Sequence, residues 1–250
     1  TDPYRRREQI FPVLTPEQID RVSAFGAEEA VAAGTVLFER GAPSADFFII
    51  LSGRFEAYED HGRGEEDVFA EQGPGQFTGE LDMFSDRFLL VSGRMCEDGR
   101  VLRVPNERFR EMMTALPDLA EIFTRAFILR HVALMEHEQG AVVVIGKKGS
   151  GALIEIERFL RRNGVPLKVL TVEENGNDGI MQGLNLSERC LPTVLGRGED
   201  KIRRPTLLEL GRFLGISHQF EEDKVFDTAV VGAGPSGLAA AVYAASEGLS

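Results

Sequence analysis

Short β-rich runs broken at close intervals by glycine fill the first hundred residues, and this spacing leaves few folds open to the chain. Gly34-Thr35-Val36-Leu37-Phe38 leads into Gly41-Ala42-Pro43. Asp46-Phe47-Phe48-Ile49-Ile50-Leu51-Ser52-Gly53 and Arg54-Phe55-Glu56-Ala57-Tyr58 follow. Runs of this length with a turn residue every 8–12 positions predict an antiparallel barrel or jelly roll. A helix is expected before them, from Thr15-Pro16-Glu17, with proline in its first turn. A long helical stretch is expected after them. Between Pro105 and His137, Phe109, Met112, Leu119, Ile122, Phe123, Ala126, Phe127 and Leu134 recur as one wide apolar stripe. His131 and His137 lie six apart, out of phase for chelation by one helix face, and are read as solvated.

Gly34, Leu37, Phe38, Gly41, Phe48, Ile50, Gly53 and the run Gly73-Pro74-Gly75-Gln76-Phe77-Thr78-Gly79-Glu80-Leu81 give residues 1–138 a resemblance to the cyclic-nucleotide-binding domain. The resemblance implies that Gly79-Glu80-Leu81 opens a short helix whose N–H groups hold a cyclic phosphate. It also implies that Glu80 binds the ribose 2′-hydroxyl, and that an arginine nine or ten residues later pairs with the phosphate. This chain departs from the pattern there: Leu89 and Leu90 occupy those positions, and the nearest arginines are Arg87 and Arg94. A leucine offers an anion no charge. Two readings stay open, one in which a shortened turn brings Arg87 to the phosphate and one in which the cassette takes no cyclic nucleotide or another small ligand. Glu80 also reads as an acidic residue favoured at a helix N-terminus. In this family the long helix lies against the barrel and often forms dimer contacts, so a homodimer is an expectation.

From residue 139 the pattern changes. Ala141-Val142-Val143-Val144-Ile145-Gly146 reads as a buried strand, followed by a helix with Leu153, Ile156, Phe159 and Leu160 inward that ends at Asn163-Gly164. A second strand spans Leu167–Val172, and a short helix around Gly179–Leu184 precedes Leu191-Pro192-Thr193-Val194-Leu195. A last helix starts at Thr206 with Glu209 three residues on, a capping-box spacing. This order over residues 139–216 is similar to a thioredoxin or glutaredoxin fold, in which the proline before the third strand, here Pro192, is cis. The turn that would carry the dithiol, Lys148-Gly149-Ser150-Gly151-Ala152, has no cysteine, so disulfide exchange by this domain is not expected. Cys190 is then a lone thiol, read as a small apolar residue.

Residues 217–225 are polar and acidic and read as a linker. After them Val230-Val231-Gly232-Ala233-Gly234-Pro235-Ser236-Gly237 leads into the alanine-rich run Leu238–Ala245. A strand, a G-x-G-x-x-G turn and a small-residue helix open a dinucleotide-binding unit. Gly232 serves the tight turn, Gly234 the approach of a pyrophosphate, Pro235 the first helical position and Gly237 close helix–strand packing. Residues 226–250 resemble the first βα unit of the Rossmann-type FAD domain of thioredoxin-reductase-like enzymes. The second strand would fall beyond Ser250, so the chain reads as the front part of a longer FAD- and NADPH-dependent disulfide oxidoreductase with a thioredoxin-like redox partner. No catalytic residue of such an enzyme lies in this part. The part is expected to be inactive, to bind no FAD by itself and, as a lone βα unit, to leave strand faces uncovered.

Composition narrows the remaining classes. A net charge of −12 opposes binding to nucleic acid, which needs clustered Lys and Arg. No apolar run is long enough for a bilayer, and Tyr4-Arg5-Arg6-Arg7 has no apolar segment after it, so cytoplasm is expected. Two cysteines far apart, Cys96 and Cys190, form neither a metal set nor a dithiol.

Overall fold

The structure is a computed structural model that describes residues 3–42, 45–60, 66–79, 89–172, 179–196, 201–217 and 225–250. The chain divides into two compact units, Thr1–Ser217 and His218–Ser250.

The first unit begins with a helical turn at Pro3–Arg6 and short helices α1 (Arg7–Ile10) and α2 (Pro16–Ser23). Thr15 caps α2: its Oγ1 accepts from the Gln18 N–H and its own N–H donates to Gln18 Oε1. Among the described residues seven strands follow: β1 (Ala27–Val31), β2 (Val36–Phe38), β3 (Phe47–Ser52), β4 (Phe55–Asp60), β5 (Glu66–Gln72), β6 (Ser92–Met95) and β7 (Gly99–Val104). They form two antiparallel sheets, ordered β1-β7-β3 and β2-β6-β4-β5. This is the predicted jelly roll with flanking helices.

β3 explains how the roll and its helices share one core. Phe47, Phe48, Ile49 and Ile50 are all buried because successive side chains point to opposite faces of a strand covered on both sides. Phe48 and Ile50 join Phe55, Ala57, Met95 and Val101 inside the roll. Phe47 and Ile49 point the other way, into a cluster with Phe77, Leu102 and Val104. That cluster is closed by α3 (Asn106–Ala115) and α4 (Pro117–Glu136) through Phe109, Met112, Leu119, Phe123 and Phe127. The Phe47 ring centroid lies 5.0 Å from Phe123, 5.2 Å from Phe109 and 5.6 Å from Phe77, within the range of favourable aromatic pairing. His131 departs from its expected solvation. It is half-buried, and its Nδ1 is shielded with no hydrogen-bond partner among the described residues. Its Nε2 would lie 3.2 Å from a Cβ built at Gly164, so the helix there faces protein.

After α4 comes an α/β layer: β8 (Val142–Lys147), α5 (Gly151–Arg162), β9 (Leu167–Val172), α6 (Gly179–Gly183), β10 (Thr193–Leu195), β11 (Lys201–Arg203) and α7 (Leu207–Phe213). Its sheet runs β11-β10-β8-β9, with β8 and β9 parallel and both β10 and β11 antiparallel to their neighbours. One face carries Leu153, Ile156 and Leu160 of α5 with Leu210 of α7. The other carries Met181, Leu186 and Leu191. The Leu191–Pro192 peptide is cis, and the capping box of Thr206 and Glu209 is formed.

Among its described residues the second unit has one regular element, α8 (Pro235–Ser246). The strand expected before it is not formed as a strand. Residues 225–234 have no ladder partner among the described residues, and a β-strand is defined by its neighbour. Val231 and Val242 are exposed accordingly.

Phe47→Ala is expected to cost about 3–5 kcal/mol, since it opens a cavity between β3 and two helices; urea unfolding measures this. A second outcome concerns Arg21 and Asp118, which join α2 to the start of α4 by paired hydrogen bonds of 2.7 Å. Hydrogen bonding to Arg21 holds the Asp118 carboxyl at about 2, below its ordinary 3.8. The folded-state value is depressed, so this contribution is complete above 3.8 and is lost as pH falls through about 2. NMR titration should show the carboxyl of Asp118 return toward 3.8 in Arg21→Ala.

Candidate ligand pocket in the roll

Between the β2-β6-β4-β5 sheet, the segment at Thr78 and Gly79, and α4 lies a small cavity of about 40 Å³. Its walls are mostly apolar: Phe38 of β2, Phe55 and Ala57 of β4, Phe69 and Ala70 of β5, and Leu134 of α4. Apolar walls with a few converging polar groups are the usual make-up of small-molecule sites. The polar groups here are Gln72, Thr78, the Gly79 backbone and Arg130. Gln72 Oε1 and Thr78 Oγ1 are buried without a hydrogen-bond partner among the described residues. Buried polar atoms are nearly always satisfied, by protein, water or ligand.

Arg130 is the feature that sequence reasoning missed. It is 7% exposed, projects from α4 into the cavity wall, and donates from Nε to the Ile10 carbonyl at 2.9 Å and from Nη1 to the Gly79 carbonyl at 3.1 Å. Its guanidinium carbon also lies 4.8 Å from the Phe77 ring centre and 5.1 Å from that of Phe11, so the charge is framed by aromatic faces. A signal was present in the sequence. Arg130 falls in phase with Phe123, Ala126, Phe127, Ala133 and Leu134, a charged residue inside an otherwise apolar stripe.

Of the residues implied by the resemblance, Gly79 lines this cavity with a φ of 142°. Glu80, Leu81 and Arg87 lie outside the described residues. Leu89 is buried, and its backbone pairs with that of residues 41 and 42: its N–H donates to the Ala42 carbonyl and its carbonyl accepts from Gly41. Arg94 is committed elsewhere. It bridges Glu56 at 2.6 Å and Glu66 at 2.7 Å and lies 4.4 Å from the Tyr58 ring centre. Those two carboxylates raise its pKa further, Glu66 first.

Two other positions can be placed. Cys190 is half-exposed beside the cis proline, and its Sγ lies 3.3 Å from Ser187 Oγ. Hydrogen bonding from Ser187 lowers its pKa, helped by Arg203 and Lys201. It packs against the cluster of Ile145, Val172 and Leu191 as an apolar residue would, but is only partly buried. Desolvation instead raises the pKa of Cys96, with Arg54 opposing it. In the second unit Gly232 has a φ of 107°, and Gly234 stands at the N-cap of α8 with Pro235 first in the helix. A Cβ at Gly237 would sit 1.9 Å from the Gly232 carbonyl oxygen, so only glycine fits this approach.

Residues 28–115 match the family model described as the cyclic nucleotide-binding domain, and this part of the chain is a domain of that kind. An uncharacterised NTE family protein of Mycobacterium tuberculosis is 31% identical over 121 residues, which are 48% of this chain and 20% of that protein. The cyclic AMP receptor protein of Thermus thermophilus is 24% identical over 111 residues, 44% of this chain and 51% of that protein. The chain thus spans about half, or less, of the length of these relatives. Among solved structures, the catabolite activator protein of Thermus thermophilus is similar over 62% of this chain and 66% of that one, at 21% identity and a TM-score of 0.44. Among the described residues no helix is long and apolar enough to cross a membrane, and no group of three His, Cys, Asp or Glu side chains could hold a metal.

The two thiols give a direct check on the local chemistry. Thiolate is the reacting species, so iodoacetamide near neutral pH should alkylate Cys190 before Cys96, followed by peptide mass spectrometry. Ser187→Ala should slow Cys190 alone.

Proposed function

We propose that the roll is a sensor for a cyclic nucleotide or another small ligand. The observation that carries this reading is the cavity walled by Phe38, Phe55 and Phe69, with Arg130 and the Gly79 backbone at one place on its wall. A nucleotide that spread these walls would stack its base among the rings and meet hydrogen-bond partners in Gln72 and Thr78. Arg130 supplies positive charge to a site where Leu89 and Leu90 bring none. The family match over residues 28–115 and the similarity to a cyclic AMP receptor protein support the same reading. A homodimer through α4 would fit its exposed Ile128 and Val132.

The ligand test is calorimetric titration with cyclic AMP and with cyclic GMP. Binding of at least one in the micromolar range is expected. Arg130→Ala should weaken it at least roughly tenfold, the size expected for a hydrogen bond to a charged group. The absence of heat with both nucleotides would rule out the cyclic-nucleotide form of the reading.

A second reading concerns what the sensor serves, and two observations favour it. The α/β layer orders its strands β9-β8-β10-β11, with a parallel βαβ unit and an antiparallel hairpin, as a thioredoxin-like domain would. The turn from Gly232 to Gly237 presents open backbone at the start of α8, where an added Cβ at Gly234 meets nothing within 4 Å. We infer that these residues fit the pyrophosphate of FAD, with Gly232, Gly234, Pro235 and Gly237 holding it. When bound, FAD would supply hydride acceptance from NADPH. The chain then forms the regulatory part of a thioredoxin-reductase-like enzyme acting on a thioredoxin-like partner. Its own residues contain no Cys-x-x-Cys, so NADPH and FAD added to this chain should reduce no disulfide substrate. NADPH consumption coupled to disulfide reduction by the purified chain would overturn this second reading.

A further inference from the structure

We propose that Arg40 and Glu59 form a latch that transmits the state of the roll cavity to the junction leading into the α/β layer. The proposal rests on the cavity being the sensing site, and concerns how that site is regulated and read out. Arg40 Nη1 donates to Glu59 Oε1 at 2.7 Å, while Arg40 Nη2 reaches the carbonyls of Gly140 and Ala141 at 3.3 and 3.1 Å. The second Glu59 oxygen accepts the Gly140 N–H at 2.9 Å. Both partners thus hold Gly140, and Arg40 also holds Ala141, at the step between the end of α4 and the start of β8.

This is not an ordinary exposed ion pair, which contributes little. The side chains are 25% and 13% exposed, and the guanidinium and the carboxylate each make a bond to backbone as well as to each other. Gly140 itself has a φ of 66°, and a Cβ there would lie 2.7 Å from the Leu90 carbonyl oxygen. Only glycine lets the junction press this closely on residue 90.

Every element that meets at the latch is also a wall of the cavity. β2 supplies Phe38 to the cavity and then runs on to Arg40. β4 supplies Phe55 and Ala57, then Glu59 two residues later. Val91 lines the cavity, and next to it Leu90 touches Gly140, while Ser92 Oγ accepts the Arg40 N–H at 2.9 Å. α4 supplies Leu134, whose carbonyl accepts the Gln139 N–H at 3.0 Å just before Gly140. Four walls therefore converge on one hydrogen-bonded cluster a few residues away. Spreading them to admit a ligand changes the separation of Arg40, Glu59 and residue 90, and with it the hold on Gly140. A bistable contact biased from the ligand side is what regulatory coupling requires.

The test reads amide hydrogen exchange of the segment 138–142 by mass spectrometry on the whole chain. Arg40→Gln and Glu59→Ala should each speed exchange there by about tenfold, within the usual range of coupling between contacting groups. Exchange in β3 and β8 should stay unchanged. Occupancy is mimicked without any ligand by Ala57→Leu, or by Ala70→Leu on β5 should the first variant fold poorly. Either is expected to speed exchange at 138–142 in the otherwise native chain and to add nothing in the Arg40→Gln background. Equal acceleration in both backgrounds, no acceleration in either, or a uniform rise across the whole chain in Arg40→Gln would overturn the latch. Failure of the ligand reading shows separately, as absent heat with cyclic AMP and cyclic GMP while the filling variants still report the coupling.

Discussion

Phe47 is the side chain on which the arrangement of the first unit depends. It stands on β3, a strand with no solvent face, and meets rings from the Phe77 segment, α3 and α4 at once. A roll alone has an apolar outer face on β3 and β7 that must be covered, and the helices alone have an apolar stripe with no partner. The contact of Phe47 with Phe109, Phe123 and Phe127 meets both needs. It also fixes the azimuth of α4. With Phe123 and Phe127 turned toward β3, Arg130 and Leu134 one and two turns later face the mouth of the roll. The cavity has a cation in its wall because of aromatic packing in a different cluster.

Charge in the roll follows from the same economy of partners. The chain is strongly acidic, yet many arginines of the roll are fixed by carboxylates across strands: Arg100 by Glu28, Arg103 by Asp46, and Arg94 by Glu56 and Glu66. Arginines held in this way are poorly placed to meet an incoming anion, since a ligand would have to displace a carboxylate already at bonding distance. Arg130 donates to the backbone carbonyls of Ile10 and Gly79, and aromatic faces surround it. That setting leaves the plane of the guanidinium defined, which suits recognition of a flat or charged ligand group.

Much of this architecture could be read from residues in order along the chain. The run Phe47–Leu51, the capping boxes at Thr15 and Thr206, and the stripe from Phe109 to Leu134 are local patterns that local structure obeys. What escaped depends on distant partners. Ala27-Glu28-Glu29-Ala30-Val31 has the composition of a helix, and is a strand because β7 pairs with it and presents Arg100 and Arg103 to its glutamates. β11 has three residues and one apolar side chain, Ile202, too short a run to announce a strand, and exists as the edge partner of β10. Arg130 was hidden by a stripe read for its apolar members only. The Arg40–Glu59 pair joins residues nineteen apart to a junction a hundred residues on, and no periodicity announces such a contact.

The second unit separates these two kinds of information within a few residues. The turn at Gly232 and the start of α8 form in the absence of a sheet, because glycine conformations and a proline at the first helical position are set by the residues themselves. The run Val230–Val231 before it has every compositional mark of a strand and is not one here, because its hydrogen bonds must come from a neighbouring strand. A helix carries its partners four residues away; a strand borrows them from elsewhere. The backbone geometry of a G-x-G-x-x-G turn can therefore form without a sheet beside it, while Val231 and Val242 are exposed.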